Sequence, residues 1–268
     1  MLNLKQKVAV VTGGASGIGK ATALALSRSG AAVMIADRNF DQASSVSSEI
    51  REMGGVASVI EIEASNAASA AHAFNPAMTA SEQLAPSNHW LVWAHQDVYL
   101  PLGWDLKFAS ALQEAVSHWP NLAVAGVYGV SGFGPHIIRS GHVLDRGKDL
   151  HEPTPLPALA DSLDELLVAV KVGSGLRMDS ALGFDFYGTD LVLQAKQKGM
   201  QAAVLEAYCE HWSNTPDALP LPESLVRRIS KNAMAFEHKW QHALPLSTSC
   251  FDIAKPGDVA QFLAGSGQ

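Results

Sequence analysis

The chain has 268 residues and a formal net charge of −7, from 26 acidic and 19 basic residues. This balance offers no basic field to hold a nucleic-acid backbone or an anionic membrane, so a small-molecule or glycan substrate is expected. With only two cysteines and neither a signal peptide nor an apolar run of membrane length, we expect a cytoplasmic protein without an integral membrane segment. The sequence predicts no oligomeric state.

The first predicted elements are a strand, a tight turn and a helix. Residues 7–14 form a β-branched run that ends in glycine, and residues 17–30 are predicted to form a helix that Gly30 stops. The glycine spacing of the turn lets a backbone approach a pyrophosphate at the helix N-terminus, where amides and the helix dipole favour anions. The candidate cofactor-binding residues of this turn are Thr12, Gly13, Ser16, Gly17, Ile18 and Gly19.

A second strand and a helix–strand pair extend this pattern to a βαβαβ unit. The strand over 31–38 includes Asp37, placed about 20 residues after the turn to bond a ribose hydroxyl and disfavour a 2′-phosphate. A helix over 40–53 and a strand over 57–63 follow. With Thr-Gly-x-x-x-Gly-x-Gly and this acid, residues 1–64 resemble the opening of the short-chain dehydrogenase/reductase family, which implies NAD. The alternative is a Rossmann-type half that binds no cofactor.

The sequence departs from that family after this point. The family's fourth strand ends in Asn-Asn-Ala-Gly, whereas here the corresponding segment reads Trp-Ala-His-Gln-Asp at 93–97. The family's catalytic Tyr-x-x-x-Lys places a lysine on the same helix face as the tyrosine, where the ammonium lowers the phenol pKa. This pair is missing after all four tyrosines, namely Tyr99, Tyr128, Tyr187 and Tyr208. Dehydrogenase catalysis is therefore disfavoured.

A predicted metal site lies at the end of an apolar strand that begins at His89, runs into His95 and Asp97 and breaks at Pro101. His95 and Asp97 are two residues apart, so both side chains leave the same strand edge towards one spot that could hold a divalent cation. The alternative is a strand end whose polar side chains only face water.

The segment His95-Gln-Asp-Val-Tyr-Leu-Pro, with Gly-Trp104 after it, resembles the metal-binding segment of glycosyltransferases of the GT-A fold related to family 2. We extend this resemblance over residues 65–245. Those enzymes usually carry Asp-x-Asp, and because His95 replaces the first aspartate, the choice of Mn²⁺ or Mg²⁺ stays open. The resemblance implies His211 as a third ligand; otherwise it is an ordinary core or surface histidine.

The remaining elements are predicted in chain order, with residues 131–160 as a long loop. The resemblance implies that Asp190, in Tyr187-Gly-Thr-Asp190, is the general base; the alternative is a helix cap. The predicted helices cover 66–80, 105–118, 191–198 and 222–243, and the predicted strands cover 122–130 and 201–205.

These observations predict one three-layer α/β domain over residues 1–245, Rossmann-like and GT-A-like, with a mostly parallel sheet. Residues 1–64 would supply its first three strands, residues 65–245 the rest, and residues 246–268 a C-terminal tail. The leading expectation is metal-dependent transfer of a sugar from a nucleotide-diphosphate donor to a hydroxyl acceptor. The alternatives are an NAD-dependent oxidoreductase of the short-chain type and an inactive nucleotide-binding protein.

Overall fold

The computed structural model describes residues 8–61, 69–84, 89–95, 97–212 and 221–265. The chain forms two compact units, Met1–Leu91 (unit 1) and Val92–Gln268 (unit 2). The predicted internal boundary between residues 64 and 65 lies outside the described residues. The single domain proposed for residues 1–245 stays a prediction.

Unit 1 is a three-stranded parallel sheet with helices, in the order predicted. The strands pair in parallel in the order β1-β2-β3. Their β-branched residues are buried in one core with alanines of the helices, which allow the helices to approach the sheet closely. Asn39 begins the second helix by accepting a hydrogen bond from the Gln42 amide at 3.0 Å. The elements are β1 Val8–Thr12, α1 Gly17–Arg28, β2 Ala32–Asp37, α2 Phe40–Glu52, β3 Ala57–Glu61 and α3 Ala71–Leu84.

From Trp90 onwards, thirteen short strands and four α-helices follow in the described residues. The strands are β4 Trp90–Ala94, β5 Val98–Tyr99, β6 Leu122–Gly126, β7 Tyr128–Ser131, β8 Ile138–Asp145, β9 Lys148–His151, β10 Ala158–Leu159, β11 Ser162–Leu163, β12 Leu167–Lys171, β13 Gln201–Val204, β14 Cys209–His211, β15 Leu246–Ser247 and β16 Asp252–Ile253. The helices are α4 Trp104–His118, α5 Tyr187–Gln197, α6 Glu223–Lys239 and α7 Asp258–Gly265.

These strands form three further sheets. One has the order β10-β13-β6-β12-β4, a second has the order β11-β7-β8-β14-β5 with β9 beside β8, and the third is the pair β15-β16. The pairings are mixed, since β6 is parallel to β13 and antiparallel to β12. The α/β class is therefore confirmed, whereas the single, mostly parallel sheet is wrong for the described chain.

Two local features explain this difference. The apolar run predicted as one strand over 122–130 is interrupted at Val127, so that β6 and β7 join different sheets. Residues 131–160, predicted to be a loop, contain the hairpin of β8 and β9. Its two-residue turn, Arg146 and Gly147, has φ of 49° and 82°, as a type I′ hairpin turn requires.

The predicted C-terminal tail is part of the core of unit 2. Residues 246–265 contain β15, β16 and α7, and their apolar side chains pack against α6. Phe236, Trp240, Ile253 and Val259 are each at most 2% exposed in this cluster. No helix within the described ranges combines the length and apolarity needed to cross a bilayer.

Candidate functional site

The glycine loop of unit 1 connects β1 to α1. Gly13 and Gly17 have φ of 65° and 50°, a backbone conformation that residues other than glycine rarely adopt. A Cβ built on either glycine meets nothing within 4 Å, so there is open space beside both. The residue before the helix, Ser16, makes no side-chain cap bond, and the first turn of α1 has no acidic residue. This helix N-terminus can therefore accept an anion.

Gly19 has a different reason for lacking a side chain. A Cβ there would lie 2.1 Å from the carbonyl oxygen of Gly13, so the first turn of α1 packs directly on the loop. Gly13 and Gly17 thus leave space open, whereas Gly19 permits close packing, as the dinucleotide-binding pattern requires.

Asp37 lies at the end of β2 beside the same loop. Its Oδ2 accepts a hydrogen bond from the Ala15 amide at 2.9 Å, and its Oδ1 accepts one from the Asn39 amide at 3.0 Å. The Gly13 amide donates to the carbonyl oxygen of Ala36 at 2.8 Å. These bonds hold the carboxylate next to the glycines. The backbones of Thr12 and Ile18 lie in this loop region, but their side chains are outside the described part of the structure.

In unit 2 the three predicted metal ligands come together through two strand ladders. The short strand β5 pairs with β14 in antiparallel fashion, with Val98 opposite His211, and the Trp212 amide donates to the carbonyl oxygen of Asp97 at 2.9 Å. His95 follows β4 directly, and its amide donates to the carbonyl oxygen of Leu166 at 3.0 Å. Backbone pairing therefore places residues that are distant in sequence at one spot.

The cluster of His95, Asp97 and His211 has the geometry of a candidate metal centre. One ligand atom from each residue lies within 4.8 Å of the others, and all three residues are half-buried. His211 Nε2 is 3.3 Å from Asp97 Oδ1. Two imidazoles and one carboxylate are a donor set that suits a first-row divalent cation.

Two further residues bond the cluster histidines. His211 Nδ1 is 2.7 Å from Asp145 Oδ1, and His95 Nε2 is 3.0 Å from the Tyr187 hydroxyl. The hydrogen bond to Asp145 raises the pKa of His211, against the lowering effect of burial. Burial lowers the pKa of His95, although the nearby Asp164 acts to raise it. The protonated form is therefore favoured for the His211 ring, whereas the neutral form is favoured for the His95 ring.

Asp145 was not among the predicted site residues, because it lay in the predicted loop. The one available signal was Asp145-Arg-Gly147, a pattern that suits a tight hairpin turn after a strand. Parallel pairing of β14 with β8 then places Asp145 opposite His211.

Asp190 lies in the first turn of α5 and is fully buried, at 0% exposure. Its Oδ1 accepts hydrogen bonds from Trp240 Nε1 at 2.7 Å and from Lys239 Nζ at 2.6 Å, and its Oδ2 accepts one from Gln194 Nε2 at 2.6 Å. Burial acts to lower the pKa of Lys239, but its hydrogen bonds to Asp179 and Asp190 outweigh burial and raise this pKa. Here the carboxylate joins α5 to the end of α6. Its role as a general base stays a prediction.

Comparison with known proteins finds a family model that matches most of unit 1. Residues 7–85 match the short chain dehydrogenase family model. The 2,5-dichloro-2,5-cyclohexadiene-1,4-diol dehydrogenase LinX of Sphingobium indicum is 31% identical over 143 residues, which cover 52% of each chain. Cyclohexanol dehydrogenase of Acinetobacter is 49% identical over 51 residues, which cover 19% of this chain and 20% of that one. The chain thus spans about half the length, or less, of these curated relatives.

Solved structures with local similarity include two dehydrogenases. A short-chain type dehydrogenase/reductase from Mycobacterium marinum is 41% identical, with a TM-score of 0.22 and coverage of 23% of this chain and 25% of that one. A putative NAD(P) dependent gluconate 5-dehydrogenase from Beutenbergia cavernae, solved with bound NADP, is 33% identical. The TM-score is 0.24, and the match covers 31% of this chain and 30% of that one.

These findings correct the leading prediction from the sequence. The matching family model is that of short chain dehydrogenases and the curated relatives are dehydrogenases, so the predicted glycosyltransferase activity is wrong. None of the matches described above supports the GT-A resemblance proposed for residues 65–245 or the nucleotide-sugar donor that it implied. The resemblance of the N-terminal segment to short-chain dehydrogenases is confirmed over residues 7–85.

Proposed function

We propose that unit 1 binds NAD(H) in the manner of the cofactor-binding half of a short-chain dehydrogenase. The observation that carries this proposal is the coincidence of the family match at residues 7–85 with a loop that is open beside Gly13 and Gly17. The pyrophosphate of a dinucleotide can approach the backbone of that loop closely because no Cβ fills the space.

Each part of the loop has a role in this proposal. The amides and the positive end of the α1 dipole would hold the pyrophosphate. Asp37 would accept hydrogen bonds from the adenosine ribose hydroxyls and repel a 2′-phosphate, so NAD would bind more tightly than NADP. When bound, the nicotinamide supplies the hydride chemistry.

Unit 1 would bind the cofactor, but we do not expect this chain to catalyse hydride transfer. The sequence has no lysine four residues after any of its tyrosines, so the family's acid–base pair is missing. We therefore expect NAD binding without alcohol oxidation, which an assay of NADH absorbance with small alcohols would check.

The binding test uses Ser16, the residue before α1. Ser16→Asp should preserve or raise stability, because aspartate is a good helix N-cap and its charge favours the dipole. The same charge should repel the pyrophosphate, so calorimetry should show loss of NAD binding. Ser16→Asn, which caps without charge, is the matched control and should still bind. Equal NAD affinity in both variants, or no binding by the wild type, would contradict the proposal.

A second candidate function belongs to unit 2. We propose that His95, Asp97 and His211 bind a divalent cation, with Mn²⁺ preferred over Mg²⁺ because imidazole is a poor ligand for Mg²⁺. The supporting observation is the convergence of the three donor atoms within 4.8 Å.

The cation proposal can be tested by calorimetric titration of the full chain with Mn²⁺ and Mg²⁺. Mn²⁺ should bind, and its electron paramagnetic resonance spectrum should change on addition of protein. Equal, negligible heats for both ions would contradict it.

A further inference from the structure

We infer that Asp145 and Tyr187 are positioning residues that set the tautomers of the cluster histidines, presenting His211 Nε2 and His95 Nδ1 to the cation. This inference rests on the cation site proposed above, and it names residues outside that ligand set. It follows from counting the donors and acceptors that surround each imidazole.

The tautomer of His211 is set by Asp145. A carboxylate only accepts hydrogen bonds, so the 2.7 Å contact between Asp145 Oδ1 and His211 Nδ1 requires the proton to be on Nδ1. In the neutral ring the lone pair is then on Nε2, the atom that lies 3.3 Å from Asp97 Oδ1. The ring nitrogen that is free for a cation is therefore the one beside the predicted carboxylate ligand.

The two oxygens of Asp145 are divided between two partners. Oδ2 accepts from the Arg146 guanidinium at 3.1 and 3.3 Å, which leaves Oδ1 for His211. The backbone fixes the same arrangement, because β14 runs parallel to β8 with His211 opposite Asp145, and the Arg146 amide donates to the carbonyl oxygen of His211 at 3.2 Å. Asp145 is thus held at the position where it orients the imidazole.

The tautomer of His95 is set by Tyr187. The tyrosine hydroxyl has a single proton, and it donates that proton to the carbonyl oxygen of Glu165 at 2.7 Å. In its 3.0 Å contact with His95 Nε2 the hydroxyl oxygen must therefore be the acceptor, so Nε2 carries the proton. The lone pair of neutral His95 is then on Nδ1. Tyr187 is 1% exposed at the start of α5, so its ring has little freedom to move away.

Both histidines thus share one design, in which one ring nitrogen donates to a fixed protein oxygen and the other is free for a ligand. Such partners of metal-binding histidines fix ring orientation, and removing them typically lowers metal affinity about 10–100-fold.

The experiment is a titration of the full chain with Co²⁺, followed by calorimetry and by the visible absorption of the bound ion. Asp145→Ala and Tyr187→Phe should each lower Co²⁺ affinity about 10–100-fold and change the absorption spectrum. Asp145→Asn keeps a carbonyl oxygen that can accept from Nδ1, so it should retain most of the wild-type affinity.

The chain offers matched controls for both positions. His142 Nε2 lies 2.8 Å from Asp149 Oδ1 in the same β8–β9 hairpin, so Asp149→Ala removes a second histidine–carboxylate pair, one that includes none of the proposed ligands. Tyr128 is a second buried tyrosine, bonded through its hydroxyl to Glu152, and Tyr128→Phe is its counterpart. Neither control should change the Co²⁺ titration.

The outcomes separate the two proposals. If the wild type does not bind Co²⁺, the cation site and the positioning roles both fail. If Asp97→Ala abolishes binding while Asp145→Ala and Tyr187→Phe bind as the wild type does, only the positioning roles fail. Equal losses in Asp145→Ala and Asp149→Ala would indicate a general weakening of the hairpin and would also overturn the inference, as would an Asn variant as weak as the Ala variant.

Discussion

The glycine loop of unit 1 and the histidine cluster of unit 2 are assembled in different ways. The loop is a continuous segment, and its distant partners, Ala36 and Asp37, end the next strand of the same sheet. The cluster takes His95, Asp97, Asp145, Tyr187 and His211 from separate elements, joined by strand pairing and by one helix start. Local geometry therefore determines the first site, whereas the second exists only after the chain has folded.

The largest expected effect tests the assembled site. Asp97→Ala removes the one carboxylate of the proposed ligand set, so Mn²⁺ affinity should fall by more than about 100-fold, beyond what loss of an orienting partner costs. Calorimetry would measure it, with Asp105→Ala in the first turn of α4 as the control. NAD affinity should stay unchanged. An unaltered Mn²⁺ isotherm for the Asp97 variant would contradict the proposed cation site in unit 2.

The next effect tests how strictly the loop depends on local packing. Gly19→Ala places a Cβ 2.1 Å from the Gly13 carbonyl oxygen, and overpacking of this kind costs about 1–3 kcal/mol. NAD binding should be lost while cation binding by unit 2 is retained, as paired titrations would show. Gly265→Ala is the control, because its Cβ meets nothing within 4 Å. Full NAD binding by the Gly19 variant would contradict the close packing described for α1.

A comparable effect concerns the buried carboxylate of Asp190. Asp190→Ala leaves Trp240 Nε1 and Lys239 Nζ without their shared acceptor, and loss of a buried partner costs about 1–3 kcal/mol. Urea unfolding followed by circular dichroism would measure the change in the free energy of unfolding. Asp190→Asn should lose less, since its carbonyl oxygen can still accept from Trp240. Wild-type stability of the Ala variant would show that these bonds contribute nothing to unit 2.

The smallest effect sharpens the assignment of the loop to NAD. Asp37→Ser removes the charge that opposes a 2′-phosphate, while the neighbouring Arg38 remains to pair with it. The ratio of NADP to NAD affinity should rise at least about tenfold, because a hydrogen bond to a charged group contributes about 1.5–3 kcal/mol. Parallel calorimetric titrations would measure it, and Asp41→Ser in the first turn of α2 should leave the ratio unchanged. No change at Asp37 would mean that the carboxylate does not face the adenosine ribose.

Much of unit 1 could be predicted from its residues. The β-branched runs, the glycines that end helices and the acid after the second strand all act over a few neighbouring positions, and the structure places β1, α1, β2, α2 and β3 accordingly. Unit 2 could be predicted less well. The residues of β8 and β9 show no regular alternation of apolar and polar side chains, so the hairpin over 138–151 was taken for a loop.

The error in function has a related origin. His95, Asp97 and His211 do converge, but a cluster of donor atoms indicates a cation and not a reaction, and the reaction had been inferred from resemblance alone. The match at residues 7–85 then pointed to dehydrogenases. Asp190, which the resemblance implied as a base, is enclosed by three hydrogen-bond donors that no sequence pattern indicated.

The sequence by itself determined the βαβαβ order of unit 1, the glycine loop and the position of Asp37, because turn geometry and strand burial depend on adjacent residues. Only the tertiary structure decided that Asp145 faces His211, that Tyr187 faces His95 and that Asp190 is buried against α6. Each of these contacts depends on pairing or packing between elements far apart in the chain. Local residue patterns do not encode which strands become neighbours, so contacts of this kind are fixed only when the core forms.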